Sequence, residues 1–196
     1  MNIVLASGSP RRKEILERLG VSFRILTSEK EEKITTADPE EAVKALAEMK
    51  AEDVYARIKD EEKGDFLVIG ADTVVACDGK ILGKPGNYER ACEMIEMISG
   101  REHFVFTGVC LTGRKDGKDF KSVFDEKTAV FVSDMTKDEI EDYAKTGEPF
   151  DKAGGYAVQG LFAPYVERIE GDYYNVVGFP LSRTVKELKK YKIILA

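Results

Sequence analysis

Ile3-Val4-Leu5-Ala6-Ser7-Gly8-Ser9-Pro10-Arg11-Arg12-Lys13-Glu14-Ile15-Leu16 is the stretch from which the fold is read. Ile3 to Ala6 is a short apolar run suited to a buried strand, whereas Ile15, Leu16 and Leu19 recur on one side of a helix. Between them Ser9 is an N-cap by residue type, Pro10 suits the first helical position, and Gly20 ends the helix. Arg11 and Arg12 then fall in the first helical turn, where unsatisfied N–H groups and the positive end of the dipole disfavour two cations unless an anion lies among them. A phosphate would supply that charge, with serine hydroxyls, free amides and arginine forks converging on it after a strand. A solvated basic turn is the other reading of the same residues.

Outward from this junction the pattern keeps alternating. Phe23 to Thr27 reads as a second strand and Ser28 to Thr36 as a polar loop. Asp38-Pro39-Glu40-Glu41 opens a helix running to about Lys59, with Asp38 as N-cap and a glutamate placed to complete a capping box. Phe66 to Ala71 is a continuous apolar strand that Val74 to Ala76 extends to a hairpin turn at Cys77-Asp78-Gly79-Lys80. Asn87 caps a helix bearing Ala91, Met94, Ile95 and Ile98 that stops at Gly100. Two extended segments, His103 to Thr112 and Phe120 to Val132, form a hairpin about Lys115-Asp116-Gly117-Lys118. Thr136 and Glu139 form a capping-box pattern opening a helix to about Lys145. Asp151 to Tyr156 reads as a glycine-rich loop, Tyr165 to Ile169 as a strand and Pro180 to Tyr191 as a terminal helix. The class is α/β, with a central mixed twisted sheet flanked by helices, because hairpins exclude a purely parallel sheet.

The chain has 196 residues, 43% apolar and 34% charged, enough for one sizeable core. A single domain over residues 1–196 is expected, with two lobes around a cleft as its arrangement. A formal charge of −6 argues against a general nucleic-acid binder, which needs a phosphate-neutralising basic face. Cys77, Cys92 and Cys110 are odd in number and lack CxxC spacing, so neither a disulfide framework nor a zinc site is indicated and a cytoplasmic setting fits. The first residues carry too short an apolar run for a signal peptide, and no run approaches the roughly 20 residues of a membrane span.

Several residues carry chemistry. Asp72 interrupts an apolar strand, so its carboxylate needs a metal, a cation or strong donors, a buried ion pair or strand-end cap being the plainer alternative. Lys84, before Pro85, suits a phosphate as a mobile point charge. Glu29, Glu31 and Glu32 stand in the long loop, either as a solvated acidic run or as carboxylates for magnesium, which takes few protein ligands. In Asp151-Lys152-Ala153-Gly154-Gly155-Tyr156-Ala157-Val158-Gln159-Gly160, glycines let backbone approach a ligand and Gln159 could read a base edge. His103, the sole histidine, is read as structural, and no Ser-His-Asp, Cys-His or two-histidine metal arrangement can be assembled.

Six ordered segments together resemble the Maf family of nucleotide pyrophosphatases, within the broader inosine-triphosphate-pyrophosphatase-like fold. They are LASGSPRR (Leu5 to Arg12), GADTVV (Gly70 to Val75), GKP (Gly83 to Pro85), SGREHFVFTGV (Ser99 to Val109), TGEPFDKAGGYAVQG (Thr146 to Gly160) and IEGDYYNVVGFPLS (Ile169 to Ser182). Within that family, Arg11, Thr73 and Gln159 are similar to the residues of the branch acting on dTTP and UTP.

The resemblance implies hydrolysis of a nucleoside triphosphate to monophosphate and pyrophosphate, with a magnesium or manganese ion as cofactor and a homodimer as assembly. It implies Asp72 as the catalytic carboxylate, assisted by Lys84. Ser7, Ser9, Arg11, Arg12, Lys50, Thr73, Lys152 and Gln159 would contact the substrate. Glu31 would join Asp72 as metal ligand, with Glu32 as its substitute.

Overall fold

The computed structural model describes residues 1–195. The chain divides into two compact units: Met1–Asp72, Thr107–Glu126 and the chain from Gly178 on form the first, and Thr73–Phe106 with Lys127–Val177 form the second. Among the described residues seven strands make one mixed, open sheet. They are β1 (Asn2–Leu5), β2 (Arg24–Ile25), β3 (Phe66–Cys77), β4 (Lys80–Leu82), β5 (Glu102–Lys115), β6 (Lys118–Val132) and β7 (Val166–Glu170). The order is β2-β1-β3-β5-β6-β7, with β4 paired to β3. β1 lies parallel to both β2 and β3, whereas β4 runs antiparallel to β3 and β7 to β6.

In the first unit α1 (Pro10–Arg18) follows β1 and α2 (Pro39–Ile58) precedes β3, while α6 (Leu181–Lys189) closes the chain. Along α2, Ala42, Val43, Leu46, Ala47, Ala51, Val54 and Ile58 recur at helical spacing and are buried. Part of this stripe packs with Val4, Ala6, Phe66, Val68 and Cys110 into one core. The helix comes unusually near the sheet because two positions lack a side chain. A Cβ on Gly70 would stand 2.4 Å from the Ala47 carbonyl oxygen, and one on Gly108 would stand 2.2 Å from that of Val43. Lys50 sits in the same buried stripe, so the packing that closes the core also carries an ammonium against β3.

The second unit holds α3 (Tyr88–Ile98), α4 (Lys137–Lys145) and α5 (Tyr173–Val177), with short 3-10 turns at Glu148–Asp151, Ala153–Gly155 and Ala163–Tyr165 between α4 and β7. Asn87 caps α3 by accepting from Arg90 N at 2.9 Å, and the Thr136–Glu139 capping box of α4 is complete. Aromatic rings gather around Phe162, with Tyr143, Tyr156 and Tyr165 centroids at 5.1, 4.9 and 5.5 Å. Buried His103 shares a 2.7 Å hydrogen bond with the Tyr156 hydroxyl, and burial pushes the imidazole down to about 4, so it is neutral near pH 7.

Some local expectations give way to tertiary contacts. Asp38 caps α2 through Glu40 N at 2.9 Å, but Glu41 does not complete a capping box, since its Oε2 accepts from the Thr36 hydroxyl at 3.3 Å. The strand expected over Phe23 to Thr27 pairs only at Arg24 and Ile25. The stretch Asp151 to Tyr156 contains 3-10 turns where a plain loop was expected, and α5 was not anticipated. Among the described residues no helix is long and apolar enough to cross a membrane.

Candidate active site

At the end of β1 the chain turns through Ser7, whose hydroxyl oxygen accepts from Arg12 Nη1 at 2.9 Å and from Ser9 N at 3.3 Å. Ser9 holds the N-cap position of α1 with extended backbone, and Pro10 occupies the first turn. The Ser9 side chain makes no capping bond, so this start lacks the side-chain acceptor that usually satisfies a first-turn amide. Arg12 folds back from the first turn and is only 8% exposed. Its Nε donates to the Gly178 carbonyl at 2.8 Å. Burial pushes the guanidinium pKa down, and the fields of Asp72 and then Glu32 oppose that shift.

Asp72 ends the part of β3 that belongs to this unit, and its side chain is buried. Lys50, from the buried stripe of α2, places Nζ 2.7 Å from Asp72 Oδ1 and 2.9 Å from Glu32 Oε1. Arg12, Lys50, Asp72 and Glu32 therefore share one electrostatic neighbourhood, to which Arg11 adds a third cation. With three cations to two carboxylates, such a cluster is suited to an anionic ligand, and the two carboxylates to a cation that accompanies it.

A family model described as "Maf-like protein" matches residues 2–191. The chain belongs to the Maf-like family. A dTTP/UTP pyrophosphatase of Lachnoclostridium phytofermentans is 48% identical over 98% of this chain and 96% of its own length. One from a Geobacillus species is 51% identical over 96% and 97%. Among solved structures, a nucleoside-triphosphatase, dITP/XTP pyrophosphatase, of Mycobacterium abscessus is similar at 13% identity and a TM-score of 0.40, over 97% of this chain and 95% of that one.

Of the residues singled out from the sequence, this Maf-like chain brings Ser7, Arg12, Lys50 and Asp72 together, with Ser9 bonded through its amide to Ser7. Glu31 is not among them: its exposed carboxylate pairs with Lys33 at 2.9 Å, and Glu32 is the loop residue that reaches Lys50. Arg11 is half-buried in the first turn of α1. In the second unit Lys84 is exposed after β4, Thr73 is half-buried, and Gln159 is exposed at a turn. Lys152 donates to the Glu148 carbonyl at 2.9 Å and to Asp151 Oδ1 at 2.7 Å. The Gly178 carbonyl that anchors Arg12 was not anticipated, since a backbone acceptor 166 residues away leaves no local signal.

Among the described residues no three His, Cys, Asp or Glu side chains group as metal ligands. Asp72 and Glu32 nevertheless fit magnesium or manganese, being two hard oxygen donors that already converge on one cation, the Lys50 ammonium. Magnesium commonly takes only one or two protein carboxylates and completes its shell with waters and substrate phosphates.

Proposed function

We propose that this protein hydrolyses nucleoside triphosphates to the monophosphate and pyrophosphate, with dTTP and UTP as preferred substrates. The cluster of buried Arg12, Lys50 and Asp72, joined by exposed Glu32, near the start of α1 is the observation that carries the reading. The substrate class follows the names of relatives 48% and 51% identical over nearly the whole chain. The three free cysteines, two of them buried, suit a cytoplasmic site of action.

In this reading the polyphosphate lies at the first turn of α1, where Ser7, Ser9 and Arg12 offer hydroxyl and guanidinium donors to its oxygens. Water attacks the α-phosphorus, forming a new P–O bond, while the bond to the α,β-bridging oxygen breaks and its electron pair leaves with pyrophosphate. Asp72 accepts the proton that the water gives up. Lys50, now on both carboxylates, has a second use as a donor to phosphate oxygens. A divalent cation held by Asp72 and Glu32 would offset phosphate charge and lower the pKa of water. Lys84 and Lys152 complete the phosphate contacts proposed, and Arg11, Thr73 and Gln159 read the base.

No nucleophile pair is needed, so positioning and electrostatics supply most of the rate enhancement. The test is product analysis on a panel of pyrimidine and purine triphosphates with magnesium or manganese. Pyrophosphate from dTTP and UTP is expected, and Asp72→Asn should lower turnover by about 10²- to 10⁴-fold, the usual worth of a general base. Orthophosphate as product, a purine preference or near-normal turnover by Asp72→Asn would each contradict it, and binding without any product would mark a nucleotide sensor.

A further inference from the structure

The reaction proposed above leaves Glu148 without a task, yet its carboxylate ties the end of α4 to the turn before Leu161. Glu148 opens a 3-10 turn after α4, and its Oε1 accepts from the Tyr143 hydroxyl at 3.0 Å. The amide of Leu161 donates to both carboxylate oxygens, at 3.1 and 3.0 Å. The backbone carbonyl of Glu148 accepts from Lys152 Nζ at 2.9 Å. One glutamate thus holds the turn carrying Gln159 by its side chain and orients Lys152 by its main chain.

The fit depends on Gly160. A Cβ there would stand 2.3 and 2.4 Å from the two carboxylate oxygens, so the carboxylate occupies the space a side chain would fill. The turn closes through Gly160 N to the Ala157 carbonyl at 3.0 Å and leaves Gln159 exposed at its tip. Burial, then the neighbouring Glu148 charge, pushes the Tyr143 phenol pKa up, so the hydroxyl stays protonated and donates. Charged acceptors make the stronger hydrogen bonds, which suits a carboxylate to fixing an exposed turn.

We propose that Glu148 is a positioning residue for base selection, pinning the turn that presents Gln159 and so sustaining the preference for pyrimidine over purine triphosphates. This rests on the base-reading part of the proposed function. A polar group that reads a substrate edge discriminates only while it is held at hydrogen-bonding distance, and a displacement of about 1 Å removes much of that discrimination.

The experiment measures steady-state pyrophosphate release from UTP and GTP by the full chain carrying Glu148→Ala, Glu148→Gln, Gly160→Ala or Tyr143→Phe. Glu148→Ala should raise KM for UTP about tenfold with kcat within about twofold, and lower the UTP-to-GTP ratio of kcat/KM about tenfold. Glu148→Gln keeps a carbonyl oxygen for the Leu161 amide and should recover most of the ratio. Gly160→Ala retains the glutamate but fills its space, and should reproduce the loss. If Glu148→Ala does not fold, Gly160→Ala and Tyr143→Phe carry the test. An unchanged UTP-to-GTP ratio in the variants that fold, or a fall in kcat alone, overturns the inference while the proposed function stands. A wild-type protein that releases no pyrophosphate, or shows no pyrimidine preference, overturns both.

Discussion

Two helices of this protein begin on hydroxyl residues and are finished in opposite ways. At α4, Thr136 accepts from Glu139 N and the Glu139 carboxylate accepts from Thr136 N, so the end is closed by its own side chains. At α1, Ser9 makes no such bond, its amide turns to Ser7, and Ser7 also accepts from the buried Arg12, which lies in the field of Asp72. The same contrast runs through the two units. Beside α1 buried Arg12, Lys50 and Asp72 are ions, whereas in the second unit His103 and Tyr156 are buried neutral and share one hydrogen bond. A stability element satisfies its own polar groups; a ligand site keeps some for the ligand, and that division can be tested one group at a time.

The largest effect is expected where a buried ion loses its partner. Lys50→Met leaves the Asp72 carboxylate without the ammonium now 2.7 Å away. Breaking such a pair from one side costs about 3–5 kcal/mol, because the remaining charge stays desolvated. Adding Asp72→Asn to Lys50→Met should recover a large part of that loss, as the charge itself is gone. Urea unfolding of the single and double variants measures both quantities. A Lys50→Met protein within about 1 kcal/mol of the parent would mean that the first unit solvates its ions well, and the contrast would fail.

The second unit should answer to pH instead. Burial holds His103 at about 4, below the 6.5 of the unfolded chain. The unfolded state therefore takes up a proton first as pH falls, so this contribution to stability is full above 6.5 and declines through the window from 6.5 to about 4. By pH 4.5 the loss should be about 2–3 kcal/mol. His103→Gln cannot take up that proton, so the stability difference between parent and variant should be flat above pH 7 and shrink below 6.5. A difference independent of pH from 7.5 to 4.5 would show that His103 is not held neutral by its surroundings.

Legibility in the sequence follows the range of the interaction that decides each feature. α2 was readable from its start, Asp38-Pro39-Glu40-Glu41, and the Thr136 box because its two partners lie three residues apart. Asp72 declared itself as a carboxylate in an apolar strand, and Lys50 carries the matching signal, a lysine in phase with the apolar stripe of α2. Lys50 was instead reached through family resemblance, although that phase alone calls for a buried counter-charge. α5 spans five residues, too few for periodicity, and it starts after Asp172, whose amide donates to Thr128 Oγ1 at 3.1 Å, 44 residues away in sequence. The choice between Glu31 and Glu32 was beyond reach for a similar reason. Ser28 Oγ and Glu29 N both donate to Asp53 Oδ2, at 2.9 and 3.0 Å, so contacts with α2 set the path of the loop.

The smallest effect is the most direct comparison of the two helix starts. Thr136→Ala removes a formed cap and should cost about 1 kcal/mol, read as a fall of about 2–4 °C in Tm for a chain of this size. It should leave kcat/KM for UTP unchanged, because every bond lost lies within α4 and its cap. Ser9→Ala removes a hydroxyl that caps nothing in the free protein, so its stability should stay within about 0.5 kcal/mol of the parent. The same change should raise KM for UTP several-fold, since the hydroxyl is proposed to meet a phosphate oxygen only when substrate is bound. Unfolding and kinetics on this pair therefore form a crossed design, in which one variant moves stability alone and the other moves binding alone. If Ser9→Ala lost as much stability as Thr136→Ala while its KM stayed put, Ser9 would be an ordinary cap, and the start of α1 would be left without the hydroxyl that the phosphate reading assigns to it.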